Sequence, residues 1–302
     1  MDIFGEIETF FHDLFEGWVV SNLTGLYDVV NSEVSHIGDT VSKTPQSFNS
    51  GIFNFVKNLT EECMVPIGAL IITYVLVYDL INMVMEKNNF HEFDTSLFIR
   101  YLGKACIAVF LLSHTNEIVE ALFELGGDIA ISAAAETSED LAVDTENDVL
   151  RVFQDLYCGH IDDDDSQPYK AKLSQLVFWA LETTIIRFGV TVMELYFTIL
   201  IYGRFMQMYL YMSLSPVAFA TLTNREFGSI GKNYIKTIMA LAFQGFLIMV
   251  CVGIYAYLIS SLDLSTADNF QQSLNSTIVY IVLLTLVMGK TGSISKSIMN
   301  AT

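Results

Sequence analysis

The chain has 302 residues, 52% of them hydrophobic, a mean hydropathy of +0.46 and a formal net charge of −19. Only 15 residues are Lys or Arg, so the chain lacks the basic stripe that displaces counterions from nucleic acid and is set aside as the main nucleic-acid binder of any assembly it serves. The hydropathy exceeds that of ordinary soluble domains, and the apolar runs below locate the excess in an all-α, polytopic helical membrane protein of about five transmembrane helices, one of them unusually long, with amphipathic extramembrane helices.

The first residues, MDIFGEIETF, lack the basic and continuous apolar regions of a cleavable signal, so a later span is expected to target the chain. Residues 2–30 predict an amphipathic helix with Ile3, Ile7, Phe10, Phe11, Leu14 and Trp18 on one stripe and Asp2, Glu6, Glu8, Asp13 and Glu16 largely off it. No base precedes Lys43, which favours packing on protein over lying on anionic lipid. A second stripe, Val30, Val34, Ile37 and Val41, breaks at Pro45, and Gly51 to Leu59 is a third short apolar piece. These pieces either bury their apolar faces on one another or form an assembly surface.

The first clear span is Met64 to Met85, interrupted only by Asp79. The second begins near Ser96, with Arg100 and Lys104 on one face near its N-terminal end, where they can snorkel to water. It is expected to continue as an amphipathic helix to Ala135, with Ile118, Leu122, Leu125 and Ile129 on one stripe and Glu117, Glu120, Glu124 and Asp128 on another. That acidic stripe reads as a solvated face or as the lining of a vestibule. Residues 136–172 hold eleven acids against Arg151, Lys170 and Lys172, ending in Asp162–Asp165. They read as a water-exposed loop, and they lack the spacing of a formed calcium loop.

A long apolar run follows from Lys172 to Arg225, with Glu182, Arg187, Glu194 and Arg204 inside it. The loop after it carries Arg225, Lys232 and Lys236, the next span is Tyr234 to Ile259 with Gln244 inside, and the last is Thr277 to Gly289, ending at Lys290. The positive-inside rule keeps the 225–236 loop, the C-terminal tail and the start of the second span in the cytoplasm, and the acidic loop and N-terminus outside. Residues 173–222 must then cross an odd number of times. One crossing by a helix of about 40 residues, roughly 60 Å, satisfies every loop; two crossings fit the length only. Pro216 is expected to end that helix, and Arg204 to anchor it near the inner interface. The predicted organisation is residues 1–62 as amphipathic extracytoplasmic helices, 63–135 as two spans with an amphipathic extension, 136–172 as the acidic loop, and 173–302 as the long span, the basic loop and the last two spans.

No phosphate-binding loop, dinucleotide fingerprint, H-E-x-x-H or G-x-S-x-G pattern is present, so no enzyme reading has residues to stand on. Cys63, Cys106, Cys158 and Cys251 show no metal-ligand spacing and read as small apolar packing. Arg187 and Glu194, seven apart, could pair between packed helices. With Glu182 and Gln244 they could equally line a conduit, since intramembrane charges face a cavity or each other.

From Tyr211 to Val250 the chain resembles the VirB6/TrbL family of inner-membrane proteins of type IV secretion and conjugation machines. The residues that carry the resemblance are the long charged-dotted helix, Ser215-Pro216, the basic loop and the Gln244-Gly245 step. Together with the spans before and after, it extends over roughly residues 60–295. It implies five spans, an extracytoplasmic central loop (shorter here than in many members) and a ring of identical subunits, a pentamer, at the base of a translocation channel. Its partners would be membrane lipid, further copies of itself and other secretion subunits, with nucleic acid at most a transient cargo. No cofactor is expected beyond bound lipid. The expected location is the bacterial cytoplasmic membrane, N-terminus outside and C-terminus inside. The alternatives are a secondary transporter for a small solute and a purely structural membrane anchor; the missing internal repeat counts against the transporter.

Overall fold

The computed structural model describes residues 3–86, 95–140, 173–224, 226–261 and 267–301, and among these the chain is helical with no strand. The helices are α1 (Ile3–Val41), α2 (Pro45–Phe48), α3 (Ser50–Leu59), α4 (Val65–Glu86), α5 (Thr95–Ser113), α6 (Thr115–Asp140), α7 (Leu173–Ser213), α8 (Ser215–Thr221), α9 (Gly228–Ser260) and α10 (Ala267–Ile298). Among the described residues, Ser50–Met85, Leu176–Ser213, Gly228–Leu258 and Asn275–Ile298 are long and apolar enough to cross a membrane, and the bent pair Phe98–Ser113 with Thr115–Ala135 makes a fifth crossing if it is one span. The acidic residues 141–172 lie outside the described residues.

The contacts divide the chain into two compact units. The first comprises Met1–Asp39, Ala133–Leu200 and Met249–Gly289; the second comprises Thr40–Ser132, Ile201–Ile248 and Lys290–Thr302.

In the first unit α1 runs parallel to the N-terminal half of α7, because Asn22 meets Thr183 and Gly25 meets Arg187. Val19, Leu23 and Ile37 are buried from α1, and Leu176, Ala180, Val190 and Phe197 from α7. This revises the reading of the N-terminus. Residues 3–41 form one helix rather than two pieces, and Ile7, Phe10, Phe11, Leu14 and Trp18 are exposed. The stripe that α1 buries lies further along, where α7 is present to receive it.

In the second unit α4, α5 and α8 meet around Ile72, Ala108, Leu112 and Ala220. Pro216 stands in the first turn of α8, where its missing N–H costs nothing, and α7 stops at Ser213 before it. Most of α8 is buried, which suits a short apolar helix folded against longer ones. Elsewhere in the unit, Thr44 and Ser47 form a reciprocal cap on α2, and Asn49 caps α3 through the Ile52 N–H at 3.0 Å. The Phe48 ring stacks on Phe205 at 3.9 Å, and the Tyr209 hydroxyl donates to the Pro45 carbonyl at 2.7 Å. Lys290 does not end the last helix, since α10 continues through it to Ile298.

The second span is not continuous with its extension: α5 and α6 bend by 68° between Ser113 and Thr115. The Thr115 hydroxyl donates to the Leu111 and Leu112 carbonyls at 2.8 and 2.9 Å, and Ser113 donates to Val109, so side chains take up carbonyls where the ladder breaks. The buried stripe of α6 is Val119, Phe123, Gly126 and Ala130, one position beyond the expected Ile118, Leu122, Leu125 and Ile129. Gly126 explains the shift. A Cβ there would stand 2.7 Å from the Ala242 carbonyl oxygen, so the bare backbone of α6 packs directly on α9.

Candidate functional site

Arg204 is the most informative polar residue of the second unit. It is 2% exposed, so its guanidinium must find every acceptor inside the protein. Nη1 donates to the Val41 carbonyl at 2.9 Å, Nε to Leu241 at 3.2 Å and Nη2 to Ala242 at 3.5 Å. Val41 is the last residue of α1, so its carbonyl has no partner within the helix and lies at the negative end of the helix dipole. The two α9 carbonyls offer their second lone pairs. Among the described residues no ion pair involves Arg204; backbone dipoles and the Phe205 ring, 5.7 Å from the guanidinium carbon, face the charge. Gly245 provides the space, since a Cβ there would lie 2.8 Å from Nη2.

The hydroxyl of Ser295 donates to the Ala240 carbonyl at 2.6 Å. Three successive carbonyls in the middle of α9 therefore each accept a side-chain donor, from α7 and from α10. Gln244, one turn on, is buried beside Gly292 of α10. Arg204 was expected as an interfacial anchor. It is instead a buried tie between α1, α7 and α9, because a helix end and two open lone pairs replace the water that an interface would supply.

A second polar cluster lies in the first unit. Asn22 is buried and donates to the hydroxyls of Thr183 and Thr184 at 3.2 and 2.9 Å, while its carbonyl oxygen accepts from Arg187 at 3.4 Å. Arg187 Nη1 also donates to the Ser21 carbonyl at 3.3 Å. Arg187 thus turns to α1. Among the described residues no ion pair joins it to Glu194, which is half-buried, as is Glu182. Sequence reading missed Asn22, because a single Asn in an amphipathic helix looks like any other solvated position.

A third cluster sits where α8 leads into α9. Asn224, buried, donates to Asp79 Oδ1 at 3.0 Å and accepts from the Glu226 and Phe227 N–H groups at 2.7 and 2.8 Å. Lys104 Nζ lies 3.9 Å from Asp79 Oδ2, and the Tyr78 hydroxyl donates to Glu226 at 2.8 Å. Asp79, in the sequence an interruption of its span, holds the turn at residue 224 in place. Arg225 lies outside the described residues.

The remaining residues named from sequence are dispersed. Arg100, Lys232 and Lys290 are exposed, and Lys236 is half-buried and donates to the Asn300 carbonyl at 3.3 Å. Glu117, Glu124 and Asp128 are exposed and Glu120 is half-buried. His12, Asp13 and Glu16 bring ligand-type atoms within 4.8 Å of one another, an arrangement that the 3.6 Å His12–Glu16 contact at helical spacing accounts for. Among the described residues, Ile186, Val190, Met193 and Ile281 line an apolar cleft of about 430 Å³ between α7 and α10.

Several helices long and apolar enough to span a bilayer, tied by buried side-chain-to-backbone bonds, define a multi-pass membrane protein. The chain belongs to the TrbL/VirB6 family: the family described as TrbL/VirB6 plasmid conjugal transfer like protein matches residues 30–216. It is therefore a subunit of a conjugal transfer, or type IV secretion, system, in a family of structural transfer subunits rather than enzymes. The match runs from the last third of α1 to Pro216 at the start of α8, whereas the resemblance seen in the sequence centred on Tyr211 to Val250. No curated protein matches the chain.

Proposed function

We propose that this subunit is a scaffold of the conjugation machine that assembles into a homo-oligomeric ring, a pentamer, at the base of the translocation path. The observation that carries this reading is the use made of Arg204. Its guanidinium is committed to three backbone carbonyls that tie helices together, which suits a rigid scaffold better than a transporter that must move helices around a solute site. Glu182, Arg187, Glu194 and Gln244 remain the residues proposed to meet a conduit, and Glu117, Glu120, Glu124 and Asp128 a vestibule. Nucleic acid passes at most as transient cargo, since exposed acids would repel a polyanion.

The proposed location is the bacterial cytoplasmic membrane, N-terminus outside and C-terminus inside, with other secretion subunits as neighbours. The positive-inside rule supports this orientation: Arg225, Lys232 and Lys236 cluster in one stretch of sequence, and Lys290 and Lys296 lie towards the C-terminus. The test is plasmid transfer from a donor lacking this gene. Transfer should be lost and restored by the wild-type chain; transfer at the parental rate without the gene contradicts the proposal.

A further inference from the structure

Where α9 begins and α10 ends, the second unit holds a polar cavity of about 610 Å³, lined by Ser229, Ile230, Lys232, Asn233, Lys236 and Asn300. Two of these side chains are cationic and none is a carboxylate, in a chain where 34 acids face 15 bases. Lys232 and Lys236 stand four apart on one face of α9, so their ammonium groups repel. Lys236 is half-buried and donates to the Asn300 carbonyl at 3.3 Å. The end of α10 sets Asn300 there: its φ of 49° turns the chain out of the helix, and the Ala301 N–H closes the turn on the Lys296 carbonyl at 2.9 Å. Lys232 is exposed, and among the described residues no ion pair relieves either lysine. The acids around the turn before α9 are engaged elsewhere, Glu226 with the Tyr78 hydroxyl and Asp79 with Asn224 and Lys104.

We infer that this cavity binds the phosphate of an anionic phospholipid headgroup. Depth selects the lipid. The apolar segment Gly228–Leu258 has 31 residues, about 46 Å of helix against a hydrocarbon core of about 30 Å. The surplus, shared between the two ends, puts Lys232 at headgroup level, and Lys236, one turn deeper, snorkels towards it along its aliphatic stem. Basic pockets between transmembrane helices at this level take phosphate-bearing headgroups. Chemistry agrees: a phosphodiester with no cation of its own relieves the repulsion between the two ammonium groups, and the Ser229 hydroxyl and Asn233 amide offer its oxygens further donors. Size agrees as well, since the cavity exceeds what a bare phosphate fills and lies in the range of about 300–1,000 Å³ typical of sites for small organic ligands. The site is complete within one chain and does not depend on the ring proposed above.

The test titrates the full chain in mild detergent with phosphatidylglycerol, phosphatidylcholine or water-soluble glycerol phosphate and counts bound molecules by native mass spectrometry. Phosphatidylglycerol should bind roughly tenfold tighter than either of the others, and its affinity should fall about fivefold in Lys232→Gln, the effect of one lysine near a membrane surface. Lys232 is exposed, so this variant keeps the fold. The loss should deepen when Lys236→Gln is added, whereas Lys290→Gln, outside the cavity, should bind as wild type. Equal binding of phosphatidylcholine overturns the inference, as does unchanged phosphatidylglycerol binding in both lysine variants. An equal loss in Lys290→Gln overturns it too, because the attraction is then to overall charge. Glycerol phosphate binding as tightly as the lipid makes the ligand a soluble phosphate and overturns the lipid assignment.

Discussion

Arg204 donates to the carbonyl of Val41 at 2.9 Å, joining the last quarter of the long helix α7 to the last residue of α1. The bond does two things at once. It gives a buried cation an acceptor at the negative end of a helix dipole, and it satisfies a carbonyl that the end of α1 leaves open.

The first prediction concerns that residue. Arg204→Lys keeps the charge but replaces a planar three-nitrogen fork with a single point of donation, a poorer match to carbonyls spaced for a guanidinium. Both Arg204→Lys and Arg204→Ala should lower the thermal unfolding midpoint in mild detergent, with a loss of roughly 1–3 kcal/mol for each acceptor left buried and unpaired. A lysine variant indistinguishable from wild type would show that the charge, not the fork, holds the helices.

A pair of glycines gives opposite signs. Gly126→Ala drives a Cβ against the Ala242 carbonyl oxygen and should destabilise the protein and displace α6. Gly103→Ala, on the exposed side of α5 with nothing within 4 Å, should stabilise by about 0.5–1 kcal/mol through helix propensity. Chemical denaturation of the two variants side by side checks the order.

The span-breaking features show how far the residues could be read. Pro216, the long single helix before it and the succession of apolar spans were legible because each rests on local chemistry: a missing N–H, or a run of side chains too apolar for water. The placement of Arg204 was not, because its acceptors are backbone groups 163 and 37 positions away, and backbone acceptors leave no mark in a sequence. The offset stripe of α6 escaped for a related reason. Gly126 is buried for what it lacks, and a hydropathy pattern counts only what is there. Asn22 and Asp79 were visible as letters, but their partners on α7 and in the turn before α9 are set by packing.

The polar cluster between α1 and α7 should behave as a coupled unit. In a double-mutant cycle, Asn22→Ala and Thr183→Val should show a coupling of about 0.5–1.5 kcal/mol, the range of a buried hydrogen bond between contacting residues. Additive losses would mean that the 3.2 Å bond contributes nothing.

Asp79 is expected to act locally. Asp79→Ala removes the acceptor of Asn224 and the counter-charge of Lys104, and should raise proteolytic cleavage at residues 224–227 with little change in the global midpoint. Asn224→Ala should do the same more strongly, since it also releases the Glu226 and Phe227 N–H groups. Unchanged cleavage in both variants would show that the Asp79–Asn224 bond does not hold this turn.

The scaffold reading is tested most directly by the native mass of the protein released from its membrane in lipid nanodiscs. A ring should give at least two and, as a pentamer, five times the chain mass. A species with the mass of one chain under every mild condition, with no partner attached, would contradict it.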